Sequence, residues 1–264
     1  MLFAQLSDLH VRPAGQLYQK VADSNRMLAE AIDHVQALDR RPDLVLLTGD
    51  LVDRGQPEEY AQVRELLAAL TIPYRVIPGN HDHREHFRAA FADHPYLPAT
   101  GPLHYCLDDY PVRVVGLDSC IPGQHHGDID PEGLRWLAAV LDADPVKPTL
   151  VMLHHPPFVC GIPYLDKYRY REPGALAAVL ARHRNIELVV CGHVHRTMLR
   201  RWAGTVACSC PSTTTEIALQ MDPDAPSQSF VGPRGCLLHL WDPAAGMITH
   251  VSPIGKFAGP YPFA

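Results

Sequence analysis

The sequence predicts an α/β fold organised on buried parallel strands, on two features of the chain. The first is a set of short, near-continuous apolar runs: Leu2 to Leu6, Leu44 to Leu47, Tyr74 to Ile77, Leu150 to Leu153 and Leu188 to Cys191. Such runs suit strands covered on both faces better than strands with one face in water. The second is helical periodicity in the gaps between the early runs, the mark of βαβ units. With 264 residues, 47% hydrophobic and 20% charged, the chain has material for one large domain with a substantial core, expected to span 1-264 with a small appendage.

In order, the strand at 2 to 6 leads into a polar loop, Val11 to Gln19, that contains Pro13 and Gly15. A helix is expected from about Ser24 to Leu38, with Met27, Leu28, Ile32 and Val35 on one face, closing a first βαβ unit on the run that ends at Gly49-Asp50. Gln56-Pro57-Glu58-Glu59 puts a proline near a helix start and acids in its first turn, where the helix dipole favours them. That helix should reach Leu70, and a second βαβ unit closes at Tyr74 to Pro78. A short helix, Arg84 to Phe91, and a Pro-rich loop, His94 to Pro102, follow.

Next come His104 to Leu107 and Val112 to Asp118, a hairpin turning at Asp108-Asp109-Tyr110-Pro111, and a polar stretch, Ile121 to Asp128. Pro131 to Leu141 reads as a helix with Asp130 as N-cap. The segment Pro156 to Pro173, with Tyr164, Tyr168 and Tyr170, is too long for an ordinary connection and predicts a substrate lid or an oligomer contact. A helix from Gly174 to His183 leads into the 188 to 191 strand. Short strands at Met198 to Trp202, Val206 to Ser209, Cys236 to Trp241 and Met247 to Val251 read as a β-rich second layer, with a Pro-rich loop or flap at Asp222 to Gly235. Trp202 and Trp241 read as core.

The formal net charge is -6 and no Lys/Arg run occurs, so a groove for nucleic acid is not indicated. Seven cysteines (106, 120, 160, 191, 208, 210 and 236) form no disulfide framework, and Cys208-Ser209-Cys210 lacks a second pair at zinc spacing. Buried free thiols are expected. No apolar run approaches the ~20 residues needed to span a bilayer, and the amino terminus starts directly on a strand. The expectation is a soluble, cytoplasmic protein with no membrane partner.

The five runs share a feature that packing does not require. They end in Asp8-Leu9-His10, Gly49-Asp50, Gly79-Asn80-His81-Asp82, His154-His155 and Gly192-His193-Val194-His195. Ligands of open α/β sheets sit outside the carboxyl ends of the strands, so these groups should meet in one site. Each motif alone is more often a capped turn or a solvated pair, but five in succession are not accidental. In this order, D-x-H, GD, GNHD, H and GHxH resemble the calcineurin-like metallophosphoesterase superfamily over nearly the whole chain. The stretch from Gly49 to Tyr60 and the ending Phe257-Ala-Gly-Pro-Tyr261 are similar to the bacterial class III cyclic-nucleotide and glycerophosphodiester phosphodiesterases.

The resemblance implies a four-layer αββα sandwich of two mixed sheets flanked by helices. It implies two metal ions, with Asp8, His10 and His195 on one, Asn80, His154 and His193 on the other, and Asp50 as the bridge. Imidazole and carboxylate donors are compatible with Fe, Mn, Zn or Co. A bridging hydroxide would then attack phosphorus in a metal-dependent phosphoric diester hydrolase. His81 would stabilise the phosphoryl charge or protonate the leaving oxygen, and Asp82 would orient His81 or a neighbouring group, with a turn or N-cap role as its alternative. Asn80 and His81 would also touch substrate. His155 is expected to face away from the metals, and His83, His86, His94, His125 and His126 to be solvated loop histidines, with His125 and His126 near substrate if 121-128 covers the site. Gly49, Gly79 and Gly192 would give the backbone room beneath the cations.

One position departs from the resemblance. Where the glycerophosphodiesterases carry a histidine after the strand near 206 to 210, this chain has Thr215, within Pro211-Ser-Thr-Thr-Thr-Glu216. That weakens the transfer of glycerol specificity, while hydroxyls there could bind a phosphate oxygen or a ribose. The expected partner is a small phosphodiester, a cyclic nucleotide such as cAMP or a glycerophosphodiester. The alternatives are a phosphomonoesterase or nucleotidase of the same superfamily, or a non-catalytic metal-bound scaffold, which would have no need of His81. The resemblance also implies a homo-oligomer, with lid or contact segments near 121-128, 156-173 and 222-235.

Overall fold

A computed structural model describes residues 1–262, so the last two residues of the expected 1-264 span lie outside the described ones. Strands β1 (Leu2–Leu6), β2 (Leu44–Thr48) and β3 (Tyr74–Ile77) are parallel neighbours, joined through helices α1 (Ser24–Gln36) and α2 (Pro57–Leu67). Both helices end short of the positions the periodicity suggested. At their starts, Asp23 caps α1 by accepting from the Arg26 amide, and Glu59 closes a capping box on Gln56. Helix α3 (Arg84–Ala90) is capped by His83, which removes the N-cap role considered for Asp82.

The second sheet begins with the expected hairpin, β4 (Tyr105–Leu107) against β5 (Arg113–Leu117). It continues through α4 (Pro131–Ala143), with Asp130 accepting from the Gly133 amide at 2.7 Å, to β6 (Thr149–Leu153). Then come the short α5 (Pro163–Asp166), α6 (Pro173–Leu180), β7 (Ile186–Cys191), β8 (Met198–Trp202) and β9 (Thr205–Ser209). A two-stranded ribbon, β10 (Glu216–Ile217) with β11 (Ser229–Phe230), precedes β12 (Arg234–Asp242) and β13 (Gly246–Ile254).

The late strands correct the expected second layer. They form no layer of their own: β9 pairs parallel to β7 with β8 at its edge, while β12 pairs antiparallel to β1 and carries β13. The result is a five-stranded sheet, β13-β12-β1-β2-β3, facing a six-stranded one, β4-β5-β6-β7-β9-β8. Such a swap of sheets covers the edge that β1 would otherwise leave open. Phe3, Leu44, Leu46 and Leu237 of the first sheet pack on Val114, Leu150, Met152 and Val190 of the second. Leu28, Ile32 and Val63 cover the first sheet from outside, and Leu137, Leu141, Leu176 and Leu180 cover the second. The architecture is the four-layer αββα sandwich. Trp202 and Trp241 are half-buried against these cores, and among the described residues no helix is long and apolar enough to cross a membrane.

The Tyr-bearing segment divides. Tyr170 is fully buried and its hydroxyl accepts from the Ile129 amide at 3.0 Å, so it is core, whereas Tyr164 and Tyr168 reach a cavity described below. The 222 to 235 stretch is likewise not all loop, since it contributes β11 and the start of β12.

Between the sheets runs one polar chain. Gln5 donates to Thr48 Oγ1 and to the Cys191 carbonyl, and its carbonyl oxygen meets His239 Nε2 at 3.1 Å, while His239 Nδ1 lies 2.9 Å from Thr249 Oγ1. Burial pushes His239 down to about 3 from an ordinary 6.5. Because the folded state resists protonation, its contribution to stability is full above 6.5 and is lost as pH falls from there toward 3, at up to about 1.4 kcal/mol per pH unit. His239→Gln should therefore lose less stability than the parent between pH 7.5 and 5.5 in urea titrations; parallel losses would contradict this assignment.

Candidate metal centre and active site

Five strand ends, three from the first sheet and two from the second, meet at one edge of the sandwich. The chain past β1 stays zipped to the chain past β2: Asp8, His10 and Val11 donate from their amides to the carbonyls of Gly49, Asp50 and Leu51. Across the sheets, the His193 amide donates to the Asp8 carboxylate at 3.0 Å, and within the first sheet the His81 amide donates to Asp50 Oδ1 at 2.9 Å. These bonds aim side chains that the strands alone would leave undirected.

The seven positions expected to bind metal are brought together in two groups. In one, His195 Nε2 lies 3.3 Å from Asp8 Oδ1 and 3.1 Å from His10 Nε2. In the other, His193 Nδ1 lies 2.9 Å from Asn80 Oδ1. Asp50 stands between, with Oδ2 at 3.8 Å from His10 Nε2 and 3.3 Å from His154 Nε2. Asp8, His10, Asp50, His193 and His195 all adopt left-handed backbone conformations, with φ from 44° to 70°. Strain of that kind, which costs of order 1–3 kcal/mol per residue, persists only where the surroundings enforce it, and here it marks the site. The close approach also explains two glycines: a Cβ at Gly49 would run into the His154 ring, and one at Gly79 into the Asp50 carboxylate.

The electrostatics are those of a cation site. Burial raises Asp50, but His154, His81 and His10 outweigh it and hold the carboxyl well below its usual range. Asp8 is likewise raised by burial and brought down by His195. Burial drives His10 far down, and burial with the neighbouring His154 drives His193 down to about 3, so both rings are neutral. His154 moves the other way, to about 9, because Asp50 outweighs its burial. His155 Nε2 and His193 Nε2 are buried without a hydrogen-bond partner, His154 Nε2 faces Asp50 Oδ2, and nitrogens of these three residues lie within 4.8 Å of one another. Imidazole nitrogens gathered in this way beside buried carboxylates fit metal ions. His154 Nδ1 donates to the Thr48 carbonyl and His195 Nδ1 to the Thr215 carbonyl, which fixes the tautomer that leaves Nε2 free to ligate.

Three expectations need correction. His155 does not face away: its ring centre is 4.8 Å from that of His193, and Ser119 Oγ holds its Nδ1 at 2.8 Å. Thr215 does not line the cavity. It is buried with both its carbonyl and its hydroxyl at His195 Nδ1, so it braces a presumed ligand instead of meeting substrate. Asp82 does not orient His81 and instead takes the turn role that was its alternative: its Oδ2 accepts from the Leu51 and Gly79 amides and its Oδ1 from the Tyr60 hydroxyl, tying together the neighbouring loops that carry Asp50 and Asn80.

The partner of His81 is Asp53, a residue the motif reading passed over. His81 Nδ1 donates to the Asp53 carbonyl at 2.7 Å, and the Asp53 carboxylate is held by Arg12 at 3.2 Å, itself paired with buried Glu59. A carboxylate three positions after Asp50 was the only signal. Tyr18, stacked on His10 with ring centres 4.3 Å apart, was also missed. Of the loop histidines, His125 reaches the site, with Nδ1 at 3.5 Å from the Asn80 amide nitrogen. His86 and His94 are not solvated; they bond to the Gly55 carbonyl and to Tyr96.

His10, Asp50, Asn80, His81, His193 and His195 line a cavity of about 580 Å³. His125, Tyr164, Tyr168 and Ser227 to Ser229, drawn from all three of the expected lid segments, reach its wall, and among the described residues no Lys or Arg lines it.

Residues 1–197 match the sequence profile of the calcineurin-like phosphoesterases. The chain belongs to that family. A relative described as a probable glycerophosphodiester phosphodiesterase, GpdQ of Arcobacter nitrofigilis, is 36% identical over 266 residues, covering 100% of this chain and 97% of that protein. The 3',5'-cyclic adenosine monophosphate phosphodiesterase CpdA of Pseudomonas aeruginosa is 31% identical over 218 residues, 83% of this chain and 78% of that one. Among solved structures, a dimetal phosphatase from Danio rerio superposes with a TM-score of 0.64 over 97% of this chain and 99% of that one at 15% identity, a likeness of fold alone. This calcineurin-like phosphoesterase thus has relatives named for two kinds of diester.

Proposed function

We propose that this chain is a dinuclear metal-dependent phosphodiesterase acting on small phosphodiesters, cyclic nucleotides or glycerophosphodiesters. One observation carries the reading: two ligand groups share the Asp50 carboxylate beneath a cavity whose wall, among the described residues, has no Lys or Arg. A phosphate ester bound there can have its charge met only by metal cations and histidines. Asp8, His10 and His195 would hold one ion, Asn80, His154 and His193 the other, and Asp50 both. When bound, such ions neutralise phosphoryl oxygens and acidify the attacking water, and Fe, Mn, Zn or Co would suit these donors.

His81 is the group for the leaving oxygen. Its Nδ1 is committed to the Asp53 carbonyl, which leaves Nε2 to face the cavity. Burial lowers its pKa, but Asp50 and Asp53 outweigh burial and the net shift is upward, favouring a ring that can donate a proton. The seven cysteines are all free thiols, as suits the reducing cytoplasm in which we place the protein. Val159, Phe230 and Val231, exposed on the 156-173 and 222-235 segments, would be covered in a homo-oligomer.

The direct test is turnover of bis(p-nitrophenyl) phosphate against p-nitrophenyl phosphate with Mn²⁺; hydrolysis of the monoester alone would replace the diesterase reading with a phosphatase. Asp50→Ala should abolish activity and empty both metal positions, and an active variant that retains two ions would refute the bridge. His81→Ala should keep both ions and lower kcat by ~10²- to 10⁴-fold, with a smaller loss for good leaving groups. A loss independent of the leaving group would reassign His81 to phosphoryl charge. Light scattering should give a multiple of 29.3 kDa, and a monodisperse monomer with full activity would remove the oligomer.

A further inference from the structure

An aromatic row leaves the metal-ligating cluster and runs outward along one wall of the cavity. His81 and His125 have ring centres 6.3 Å apart, His125 meets Tyr168 at 5.6 Å, and Tyr168 meets Tyr164 at 5.5 Å. The last two pairs are nearly perpendicular, at 75° and 71°, so each ring presents a face beside its neighbour's edge. Tyr164 ends the row at the mouth, 42% exposed. Nothing in the hydrolytic step requires these three outer rings.

The same cavity is lined by the polar, uncharged Gln19, Ser227, Gln228 and Ser229, with Ile217 of the same ribbon beside them. Ser229 donates to Gln19 Oε1 at 3.0 Å, which pins the β10–β11 ribbon to the loop after β1. Ring faces together with amide donors and acceptors in one cavity suit a flat heterocycle that stacks by its face and hydrogen-bonds by its edge. A glycerol or ethanolamine end group has no use for the rings. A quaternary ammonium would use them, but it also calls for a carboxylate and has no use for the amides. Asp50 and Asp53 are the carboxylates on the cavity wall among the described residues; both lie at the metal end, and Asp53 is engaged by Arg12.

We infer that His125, Tyr168 and Tyr164 form a seat for a nucleobase, so that the diester hydrolysed here is a nucleotide. The substrate assignment rests on the phosphodiesterase reading; the seat itself can be tested by binding alone.

The experiment compares the full chain with Tyr168→Leu and Tyr168→Phe, each checked for an unchanged melting temperature. Calorimetry with AMP and with ribose 5-phosphate reads the seat, and KM for cAMP, glycerophosphoethanolamine and glycerophosphocholine with Mn²⁺ reads the substrate. The parent should bind AMP more tightly than ribose 5-phosphate, and Tyr168→Leu should cut that preference by roughly 5- to 100-fold, the range for a lost stacking contact, while Tyr168→Phe retains it. KM for cAMP should rise correspondingly more than KM for glycerophosphoethanolamine. Equal binding of AMP and ribose 5-phosphate by the parent, an equal loss for both in Tyr168→Leu, or a loss concentrated on glycerophosphocholine would overturn the seat. A preference for AMP with no diester turned over would uphold the seat and overturn the phosphodiesterase reading instead.

Discussion

Buried carboxylates and imidazoles crowded at five strand ends are stable together only if positive charge can be placed among them. Asp8 and Asp50 are almost completely buried, yet among the described residues no Lys or Arg pairs with either; the side chains around them are histidines, two of them driven neutral. An ion pair from the protein would have been the ordinary remedy for such desolvation. The fold instead presents unpartnered nitrogens to the carboxylates, and the left-handed backbone at five of these residues is the conformational cost of aiming them inward.

The rest of the edge serves that arrangement. Thr48, at the end of β2, and buried Thr215, just before β10, hold His154 and His195 through their carbonyls, which sets the tautomers of both rings. Asp82 ties the loop bearing Asp50 to the loop bearing Asn80. The Glu59–Arg12–Asp53 chain does for His81 what Ser119 does for His155. The rings of His81, His154, His155 and His195 are therefore each held through Nδ1 by a partner.

Much of this could be read from the chain because the signals are local. An apolar run followed by Gly-Asp or Gly-x-His declares both a strand and what its end carries, and five such endings imply a common place for them. Side-chain direction beyond a strand end is not local. Alternation predicted opposite faces for His154 and His155, but β6 stops at Leu153 and past it the backbone no longer alternates, so both rings turn inward. Thr215 was matched by position to a substrate contact, whereas its direction is set by His195, twenty residues earlier. Asp53 acts through its carbonyl, which no residue type advertises. The late strands were found, but their sheets were not, because pairing Leu2 with Leu240 leaves no trace in either segment.

That pairing has a consequence for the birth of the molecule on the ribosome. Strands β1 to β3 and their helices emerge early and can dock as βαβ units, but the free side of β1 has no partner until β12 is made at 234 to 242. Until then the nascent chain exposes an unpaired strand, apolar but for Gln5, of the kind that recruits other chains. The β12–β13 hairpin thus completes the sheet long after β1 has been made, and a ribosome that stalls before residue 234 releases a protein with its central strand still open.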